Sequence, residues 1–526
     1  MHRITALVSS LALLAGLFVY APQSVRAADP IYIGPGGGSG ECAVPDYITN
    51  GSADNEDFED AADSQDGDID NILYVCPGTY DMDDIVQVHG DLTIASVSGA
   101  ASTILDASES NVRILRAHEV ALTIIGLTFQ NAETPDRGAA IYASDDLIIQ
   151  DSIFLNNHSW ELGGAIYIHN DDASTITGST FIENGSNDNG GAIYSRFDID
   201  LIEDSTFTDN TTGTSGGAID AENDIELIAN SRFSGNTAAR GGALYVALDV
   251  FEIHQSEFSE NHATAGYGGA IFIEDDLDLI ASSSFSNNSA AQGGGAIFVN
   301  AQLEDVSGNF AAGLVSNIFE GNEALDGGAI QIDGVFSAEA TIENNTFLNN
   351  IGEDGGAIDF DDDAAGTISG NRFIGNHANG RGGAIRVDDT VASTVITQNT
   401  FANNSSVLDG GAVWLDDSGN EGSALAIVTA NTFSGNRAEA NGGGMYLYWT
   451  DTSVVPSEMT RNTFSRNRAG GIGGGIAIMG LDSCSPELST KMAVRAFKRN
   501  RFTSNRGTGP RQTANVGAVP CVPFIP

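Results

Sequence analysis

Aromatic side chains recur at one position of a repeated phrase, in which F-x-x-N and a short polar turn lead to G-G-A and an aliphatic residue. The residue after that aliphatic is aromatic at Tyr142, Tyr167, Tyr194, Tyr245, Phe272, Phe298, Trp414 and Tyr446. If the copies stack, these rings form a solvent-facing row that can lie against sugar rings or an apolar patch of a partner. The alternative is that the rings only stack on one another across a parallel sheet. The row therefore predicts a binding surface for a glycan or a surface protein.

Carboxylates follow the same strand in several copies. The candidate metal ligands are Asp145, Asp146, Asp171, Asp172, Asp275, Asp276, Asp388 and Asp389. Carboxylates repeated on adjacent coils can share Ca2+, a hard ion that takes oxygen ligands. Aspartate is also an ordinary turn residue, so a solvated row of turns would give the same pattern. Ca2+ is the one cofactor that the sequence suggests.

No set of catalytic residues stands out in the sequence. The only two lysines, Lys491 and Lys498, lie near the C-terminus. His158, His262 and His377 occupy the same turn position four coils apart. At about 4.8 Å per coil this separates neighbouring imidazoles by roughly 19 Å, which is beyond hydrogen-bond reach. Asp-rich coils can still hold a carboxylate pair, so an enzyme remains an alternative.

The repeat itself sets the spacing of these side chains. Its phenylalanine occurs at Phe154, Phe181, Phe207, Phe233, Phe258, Phe285, Phe319, Phe347, Phe373, Phe401, Phe433, Phe464 and Phe502. From each Phe to the second Gly of the next pair is 9 to 11 residues, whereas from that Gly to the next Phe is 16 to 28. One part of each unit is therefore rigid, and the other accepts insertions around 301–312, 418–424, 449–456 and 481–497. A fixed period of this kind predicts a solenoid whose stacked units share one core and whose insertions collect on one face.

Three short strands per unit account for the apolar positions. After the Gly pair the aliphatic residue is nearly constant while its successor varies, which predicts a pleated strand with one buried face. A second aliphatic stands five residues before the Phe, as in Ile176 and Ile202, and the Phe itself is the third inward position. At about 4.8 Å per coil, 13 or 14 coils make a rod roughly 65 Å long.

The glycines and the asparagine of the repeat each have a structural role. The Gly pair permits a sharp bend where a side chain would strain the backbone or collide with the next coil. The Asn of F-x-x-N can bond its own turn and line up with the Asn of adjacent coils, which satisfies buried amides. The sequence thus predicts an all-β stack with inner columns of phenylalanine and asparagine.

The N-terminus carries an export signal. His2 and Arg3 precede an apolar run over residues 4–20, and Val25-Arg26-Ala27 offers a small-residue cleavage site. Residues 1–27 are therefore predicted to be a secretory signal peptide rather than a membrane anchor, and no later stretch is apolar enough to span a bilayer. We expect an N-terminal cap and first coils over 28–90, with a short capping helix within 54–70. The repeat stack then covers 91–508 and a C-terminal tail covers 509–526.

The four cysteines form two pairs at the ends of the chain, Cys42 with Cys76 and Cys484 with Cys521. In an exported protein this pattern predicts two disulfides that clasp the ends of the solenoid. Four cysteines allow two other pairings, but both would join the two ends of the chain, which an elongated stack keeps too far apart.

The chain is strongly acidic, with a formal net charge of -49. This excludes a nucleic-acid binder of the usual electrostatic kind and leaves cations as partners, or simple solubility as the explanation. The charge reverses over residues 485–526, where Glu487 is the only acid. The basic residues there are Lys491, Arg495, Lys498, Arg499, Arg501, Arg506 and Arg511. This end can dock on an anionic surface polymer or on another copy's acidic face, or it is a solvated cap.

The paired F-x-x-N and GGA[ILV] motifs over residues 129–506 resemble the repeat of the chlamydial polymorphic outer membrane proteins and of other bacterial right-handed parallel β-helix proteins. The phrase DGDIDNILYVCPGTY at 66–80 also looks like the first coils of secreted β-helix proteins. The resemblance implies a single-domain, right-handed parallel β-helix of the pectate-lyase-like kind. The matching residues are structural, so they specify the fold and not an activity.

The same resemblance implies an adhesin role at a cell surface. The chlamydial proteins are autotransporters with a C-terminal β-barrel, whereas this sequence ends in VGAVPCVPFIP, so we do not expect outer-membrane insertion by that route. The sequence favours a secreted or cell-surface protein with a non-catalytic binding, adhesive or structural role toward glycans or a surface partner. Because many right-handed β-helices are polysaccharide lyases or glycoside hydrolases, such an enzyme on the same scaffold is the alternative.

Overall fold

The computed structural model describes residues 31–34, 42, 47–48, 58, 60–61, 71–169, 174–301, 313–334, 341–361, 366–388, 394–417, 426–449, 459–480, 499–507 and 516–518. In these residues the chain winds into a β-solenoid in which each strand pairs in parallel with its equivalent one coil away. The predicted all-β solenoid is confirmed. Its three main strands per coil form three long sheets, and a short strand adds a fourth, discontinuous sheet that the repeat pattern did not predict.

The first sheet, called here the GGA sheet, contains the strand that begins at the aliphatic residue of GGA[ILV]. Its strands are Val86–Val88, Leu115–Ala117, Ile141–Ala143, Ile166–Ile168, Ile193–Ser195, Ile219–Ala221, Leu244–Val246, Ile271–Ile273, Ile297–Ala301, Ile330–Gly334, Ile358–Asp361, Ile385–Val387, Val413–Asp417, Met445–Trp449, Ile476–Gly480 and Val516–Ala518.

The second sheet, the Phe sheet, carries the repeated phenylalanine. Its strands are Gly78–Asp81, Thr103–Asp106, Thr128–Gln130, Ile153–Leu155, Thr180–Ile182, Thr206–Thr208, Arg232–Ser234, Glu257–Ser259, Ser284–Ser286, Ile318–Glu320, Thr346–Leu348, Arg372–Ile374, Thr400–Ala402, Thr432–Ser434, Thr463–Ser465 and Arg501–Thr503. A 3-10 turn at Ala100–Ser102 precedes its second strand.

The third sheet, the aliphatic sheet, holds the second inward aliphatic position. Its strands are Ile31–Gly34, Tyr47–Ile48, Ile72–Val75, Leu92–Ser96, Leu122–Ile125, Leu147–Gln150, Ser174–Thr177, Leu201–Glu203, Ile225–Ala229, Val250–His254, Leu277–Ala281, Gly313–Val315, Thr341–Glu343, Thr367–Ser369, Val395–Thr397, Ile427–Thr429 and Met459–Thr460.

The short sheet lies between the Phe and GGA sheets in chain order. Its first part is Glu133–Thr134, His158–Ser159, Gly185–Ser186, Thr211–Thr212, Thr237–Ala238, His262–Ala263 and Ser289–Ala290. Its second part is Ile351–Gly352, His377–Ala378, Ser405–Ser406, Arg437–Ala438 and Arg468–Ala469.

The phenylalanines form one continuous column inside the stack, as predicted. From Phe129 to Phe502 each ring stacks on the next, with centroids 4.5 to 5.1 Å apart and planes within 9° of parallel. All of these rings except Phe502 are fully buried. Burying one aromatic side chain per coil is worth about 2 kcal/mol apiece, which favours the register in which the rings coincide.

The asparagines of F-x-x-N form a buried amide ladder, again as predicted. The Nδ2 of Asn184 donates to Oδ1 of Asn210 one coil later at 2.9 Å and to the carbonyl of Phe154 at 3.0 Å. The same pattern runs from Asn157 to Asn505. Each buried amide therefore has partners, which removes the desolvation cost of an unpaired polar group.

The Gly pair acts as the sequence predicted. Gly190 has a φ of +71°, in the left-handed region that side chains disfavour. A Cβ on Gly191 would lie 2.0 Å from the carbonyl oxygen of Gly217 in the next coil. The pair therefore permits both the bend and the close approach of successive turns.

The ends of the chain are described only in part. Cys42 and Cys76 form the predicted disulfide, with their Cα atoms 5.8 Å apart, while Cys484 and Cys521 lie outside the described residues. The buried Phe58 and its neighbours Asp60 and Ala61 are helical, within the predicted capping segment. The predicted signal peptide at 1–27 lies outside the described residues, as does the tail at 509–526 except for strand 516–518. The predicted insertions fall almost wholly outside them too. The first three lie between a strand of the GGA sheet and a strand of the aliphatic sheet, and the fourth lies between Ile476–Gly480 and the Phe-sheet strand Arg501–Thr503.

Candidate functional site

The residue after the aliphatic of GGA[ILV] occupies one register position on the outer face of the GGA sheet. In chain order this column is Arg116, Tyr142, Tyr167, Tyr194, Asp220, Tyr245, Phe272, Phe298, Gln331, Asp359, Arg386, Trp414, Tyr446 and Ala477. Its rings stack in runs, with centroids 5.3 Å apart for Tyr142 and Tyr167 and 5.2 Å apart for Tyr245 and Phe272. The predicted aromatic row therefore exists as a column that polar residues interrupt twice.

The prediction that these rings face solvent is wrong. Tyr142 is half-buried, and the other seven, Tyr167, Tyr194, Tyr245, Phe272, Phe298, Trp414 and Tyr446, are buried. Arginines from the turn before the Gly pair cover the ring faces, with Arg137 5.2 Å from the Tyr167 centroid and Arg240 5.2 Å from that of Tyr245. Cation–π attraction favours this cover. Stacking across the sheet is thus observed, and a ligand-binding role for the rings stays a prediction.

The first interruption of the column is Asp220, which lies between Tyr194 and Tyr245. Its carboxyl group is fully buried, and among the described residues neither oxygen has a hydrogen-bond partner. Burial, reinforced by the negative charges of Glu222 and Glu274, raises the pKa of Asp220 well above its ordinary value. Desolvation disfavours the charged form, so the fold favours the protonated carboxyl group.

Replacing Asp220 with asparagine should change how stability depends on pH. Because its pKa is raised in the folded state, Asp220 keeps its proton there over a pH range in which the unfolded chain has lost it, so the contribution of Asp220 to stability falls as pH rises above about 4. The variant lacks this titration, and its stability relative to wild type should therefore increase from pH 4 upward. Thermal unfolding midpoints measured between about pH 4 and 8 test the slope. Parallel curves for the two proteins would contradict the assignment.

The second interruption centres on Arg386. Its NH1 group donates to both carboxylate oxygens of Asp359, at 3.0 and 3.1 Å, and to Asp361 at 3.4 Å, while NH2 donates to Asp388. Nε lies 3.7 Å from a carboxylate oxygen of Asp354. Burial alone would lower the pKa of Arg386, but these carboxylates, with Asp359 foremost, raise it. The predicted calcium ligand Asp388 is therefore engaged by an arginine.

A third group, the Tyr194–Arg196 cluster, contains Tyr167, His169, Tyr194, Arg196 and Glu222. The Arg196 NH1 group donates to Nε2 of His169 at 3.0 Å, and Arg196 Nε lies 3.9 Å from a carboxylate oxygen of Glu222. The Tyr194 hydroxyl donates to the other oxygen of Glu222, and its ring stacks on Tyr167 at 5.5 Å. Three successive coils thus bring a histidine, an arginine, a tyrosine and a carboxylate together.

Sequence reasoning missed the Tyr194–Arg196 cluster. It compared only the turn histidines, of which His158 and His262 do share one register position of the short sheet. The signal was available, because the alternation that places Tyr167 and Tyr194 outward also places His169 and Arg196 outward two residues later.

Five of the eight predicted acidic residues lie in the part of the chain that the structure describes. Asp145 and Asp146 are half-buried and adjacent in a turn, and Asp171, Asp172 and Asp389 lie outside the described residues. The structure does bring the ligand oxygens of Asp275 and Asp276 within 4.8 Å of one another and of Asp249 from the preceding coil. This set of carboxylate oxygens could hold a hard cation such as Ca2+.

Asp249 belongs to a register-matched series at the start of the aliphatic-sheet strands. The backbone N–H of Asp224 donates to Asp198, that of Asp249 to Asp224, and that of Asp276 to Asp249, at 3.2, 2.9 and 3.2 Å. Burial first, and then the charges of Asp224, Asp275 and Asp278, raise the pKa of Asp249 to about 6. A divalent cation would relieve this repulsion and would compete with protons for the same oxygens.

Two family models match the chain. The model of the right handed beta helix region matches residues 305–455. The Chlamydia polymorphic membrane protein repeat matches residues 178–196, 204–222, 230–247, 255–274 and 282–300. Each repeat match includes a strand of the Phe sheet and the next strand of the GGA sheet. These matches, with the parallel stack, confirm the predicted right-handed parallel β-helix and its repeat type.

The chain was also compared with solved structures and with curated proteins. A solved structure, the A-module of the mannuronan C-5 epimerase AlgE6 of Azotobacter vinelandii, is similar at 12% identity over 90% of this chain and 97% of that chain, with a TM-score of 0.24. No curated protein matches the sequence. Among the described residues, no helix combines the length and apolar character that crossing a bilayer requires.

Proposed function

Because this chain is a right-handed β-helix repeat protein with repeats of the chlamydial polymorphic membrane protein type, we propose that it is a binding protein that acts at a cell surface or after secretion. The repeat type suggests a surface location, and the N-terminal sequence supports export. We propose that the recognition surface is the outer face of the GGA sheet and that its ligand is a glycan.

The observation that carries this proposal is the Tyr194–Arg196 cluster. The side chains of Arg196 and Glu222 are 52% and 48% exposed, so a ligand can reach them without any opening of the stack. Together with His169 they offer both hydrogen-bond donors and acceptors, which the hydroxyl groups of a sugar require. The half-buried ring of Phe197 lies edge-on to His169 with centroids 5.8 Å apart and supplies an apolar surface beside them.

A carbohydrate-active enzyme on the same scaffold is the second candidate. Groups able to transfer protons, His169, Tyr194 and Glu222, meet a cationic Arg196 within one cluster, and the buried carboxyl group of Asp220 follows Tyr194 in the column. Convergence of this kind is also what an active site requires. A lyase or a hydrolase acting on a polysaccharide would use such groups as acid, base and charge stabiliser.

A glycan array probed with the mature protein, with and without a chelator, tests the proposal. Wild type should bind, and Arg196→Gln should weaken binding by about tenfold, the usual effect of losing one charged hydrogen-bond donor. Arg232→Gln is the matched control, because Arg232 is 51% exposed and pairs with Glu257 on the Phe sheet, away from the cluster. Loss of binding in the chelator would support a cation at Asp249, Asp275 and Asp276.

Three results would count against glycan binding by the Tyr194–Arg196 cluster. No bound glycan, or an equal loss in Arg196→Gln and Arg232→Gln, would remove the cluster as the recognition surface. Shortened or unsaturated sugars released from bound polysaccharide would favour the enzyme instead. If the chelator leaves binding to the array unchanged, then glycan binding does not depend on a cation held by the acidic residues.

A further inference from the structure

The C-terminal coils reverse the charge of the molecule. Residues 437–526 hold eleven of the 22 basic residues but only five of the 71 acidic residues. The first 436 residues therefore carry a net charge of -55, and the last 90 a net charge of +6. Such a division along one solenoid places opposite charges at different positions on its axis.

Three of these arginines form a straight run, the arginine ladder, made of Arg437, Arg468 and Arg506. Arg437 pairs in register with Arg468 in the short sheet, and Arg468 forms a parallel bridge with Arg506 in the next coil. All three side chains are exposed. Neighbouring parallel strands lie about 4.8 Å apart, so like charges repeat at that interval. Like charges directly opposite each other destabilise a sheet unless a counter-charge is present.

Two of the three ladder arginines lack that counter-charge within the described chain. Arg437 lies 3.6 Å from Glu439, but no described carboxylate is within ion-pair distance of Arg468 or Arg506. The same holds for Arg461, Arg466, Arg499 and Arg501 among the described residues. The arginines that pair with carboxylates upstream are Arg113, Arg137, Arg196, Arg232, Arg240 and Arg386. Six of the nine described arginines before Arg437 thus have a carboxylate partner, whereas only Arg437 does among the seven described arginines from Arg437 onward.

Backbone conformation does not account for two further arginines at this end of the stack. Arg461 and Arg499 have φ values of +62° and +73°, two residues before a strand of the Phe sheet. Upstream coils fill the equivalent position with varied residues, among them Asn230, Asn344, Gly370, Gln255, Ser282 and Ala430. Glycine and asparagine tolerate this left-handed region better than arginine does. Turn geometry therefore does not explain the choice of arginine there.

We propose that the arginine ladder docks the protein on an anionic polysaccharide, with the acidic coils directed away from it. A linear polymer that carries sulfate, carboxylate or phosphate groups can place successive anions along a straight run of arginines, whose guanidinium groups match such groups in geometry. The charge division of the chain orients the contact, because a polyanion is attracted to the C-terminal end and repelled by the remainder. This surface is separate from the Tyr194–Arg196 cluster and gives the protein a means of attachment.

The observations favour a polysaccharide over other anionic partners. None of the exposed large apolar side chains in the described residues lies beyond Leu408, so the described part of this end has no apolar group to insert into a bilayer. A second copy also offers carboxylates at coil spacing, but most of each copy carries the same strong negative charge, which opposes side-by-side association.

Binding of the full-length mature protein to immobilised dextran sulfate, with uncharged dextran as the reference, tests the proposal. Wild type should bind the sulfated polymer alone and should lose affinity as salt is raised. Arg468→Gln with Arg506→Gln should weaken binding by about tenfold. Arg468→Lys with Arg506→Lys should retain most of it, since the charge is kept.

Arg232→Gln with Arg372→Gln is the matched control, because both are exposed and make the same change in net charge outside the C-terminal coils. An equal loss in this control, or no binding by wild type, would overturn the proposal. So would salt-sensitive self-association that the ladder variant abolishes while polymer binding is unchanged, since a second copy would then be the partner. Arg196→Gln should leave dextran sulfate binding intact, so failure here and failure of the glycan array are distinguishable.

Discussion

Replacing Phe285 with alanine should lower the free energy of unfolding by about 3 to 5 kcal/mol, the range measured for large-to-small changes in well-packed cores. Phe285 is fully buried and stacks on Phe258 and Phe319, each with centroids 4.9 Å away. Because the parallel strands fix both neighbours in register, the coils cannot close the cavity without breaking the amide ladder beside it. Guanidinium unfolding followed by far-ultraviolet circular dichroism measures the loss.

Phe502 provides the matched control for this prediction. It ends the column, contacts only Phe464 among the stacked rings, at 5.1 Å, and is only half-buried. Alanine at this position should cost about 1 to 2 kcal/mol, since less apolar area returns to water. Stability in a solenoid is a sum of local terms, so the two losses should differ. Equal losses at Phe285 and Phe502 would mean that the column does not hold the stack together.

The repeat predicted the interior because the interior is periodic. One Phe, one Asn and one Gly pair per unit are enough to place a ring column, an amide ladder and a bend, as Phe207, Asn210 and Gly217 illustrate. The second polar row was not predicted, because its identity changes along the chain. Serine hydroxyls accept backbone N–H groups from Ser152 onward, and asparagine replaces serine from Asn317.

The outer face could not be predicted in the same way, because its contacts join different parts of neighbouring coils. Alternation correctly placed Tyr167 and Tyr245 outward, but it gave no sign that turn arginines lie over their rings. Asp249 escaped notice because its meeting with Asp275 depends on register between two strands. The carboxyl group of Asp220 lacks a hydrogen-bond partner among the described residues, and a sequence does not show which groups surround a side chain.

Replacing Arg386 with methionine should cost about 3 to 5 kcal/mol, the usual result of removing one partner of a buried ion pair. The carboxylate of Asp359 is fully buried and hydrogen-bonds to Arg386, so the variant leaves an uncompensated charge in the column. Burial already raises the pKa of Asp359, and Arg386 opposes that rise. Without the arginine, Asp359 should take up a proton, and the loss should therefore shrink as pH falls toward the ordinary carboxyl range.

The double variant Asp359→Leu with Arg386→Met separates charge from packing. Replacing a buried ion pair with apolar residues of similar size is often neutral or stabilising by about 1 to 4 kcal/mol, so the second change should recover most of the loss from the first. An apolar pair would also extend the neighbouring run of Trp414 and Tyr446, which already pack together with Ala477. Asp361→Asn is the control, since its carboxylate is 42% exposed and stays solvated when the arginine is gone. If the double variant were as unstable as Arg386→Met, the loss would not come from an unpaired buried charge. The hydrogen bonds and packing of the Arg386 network would then themselves stabilise the fold.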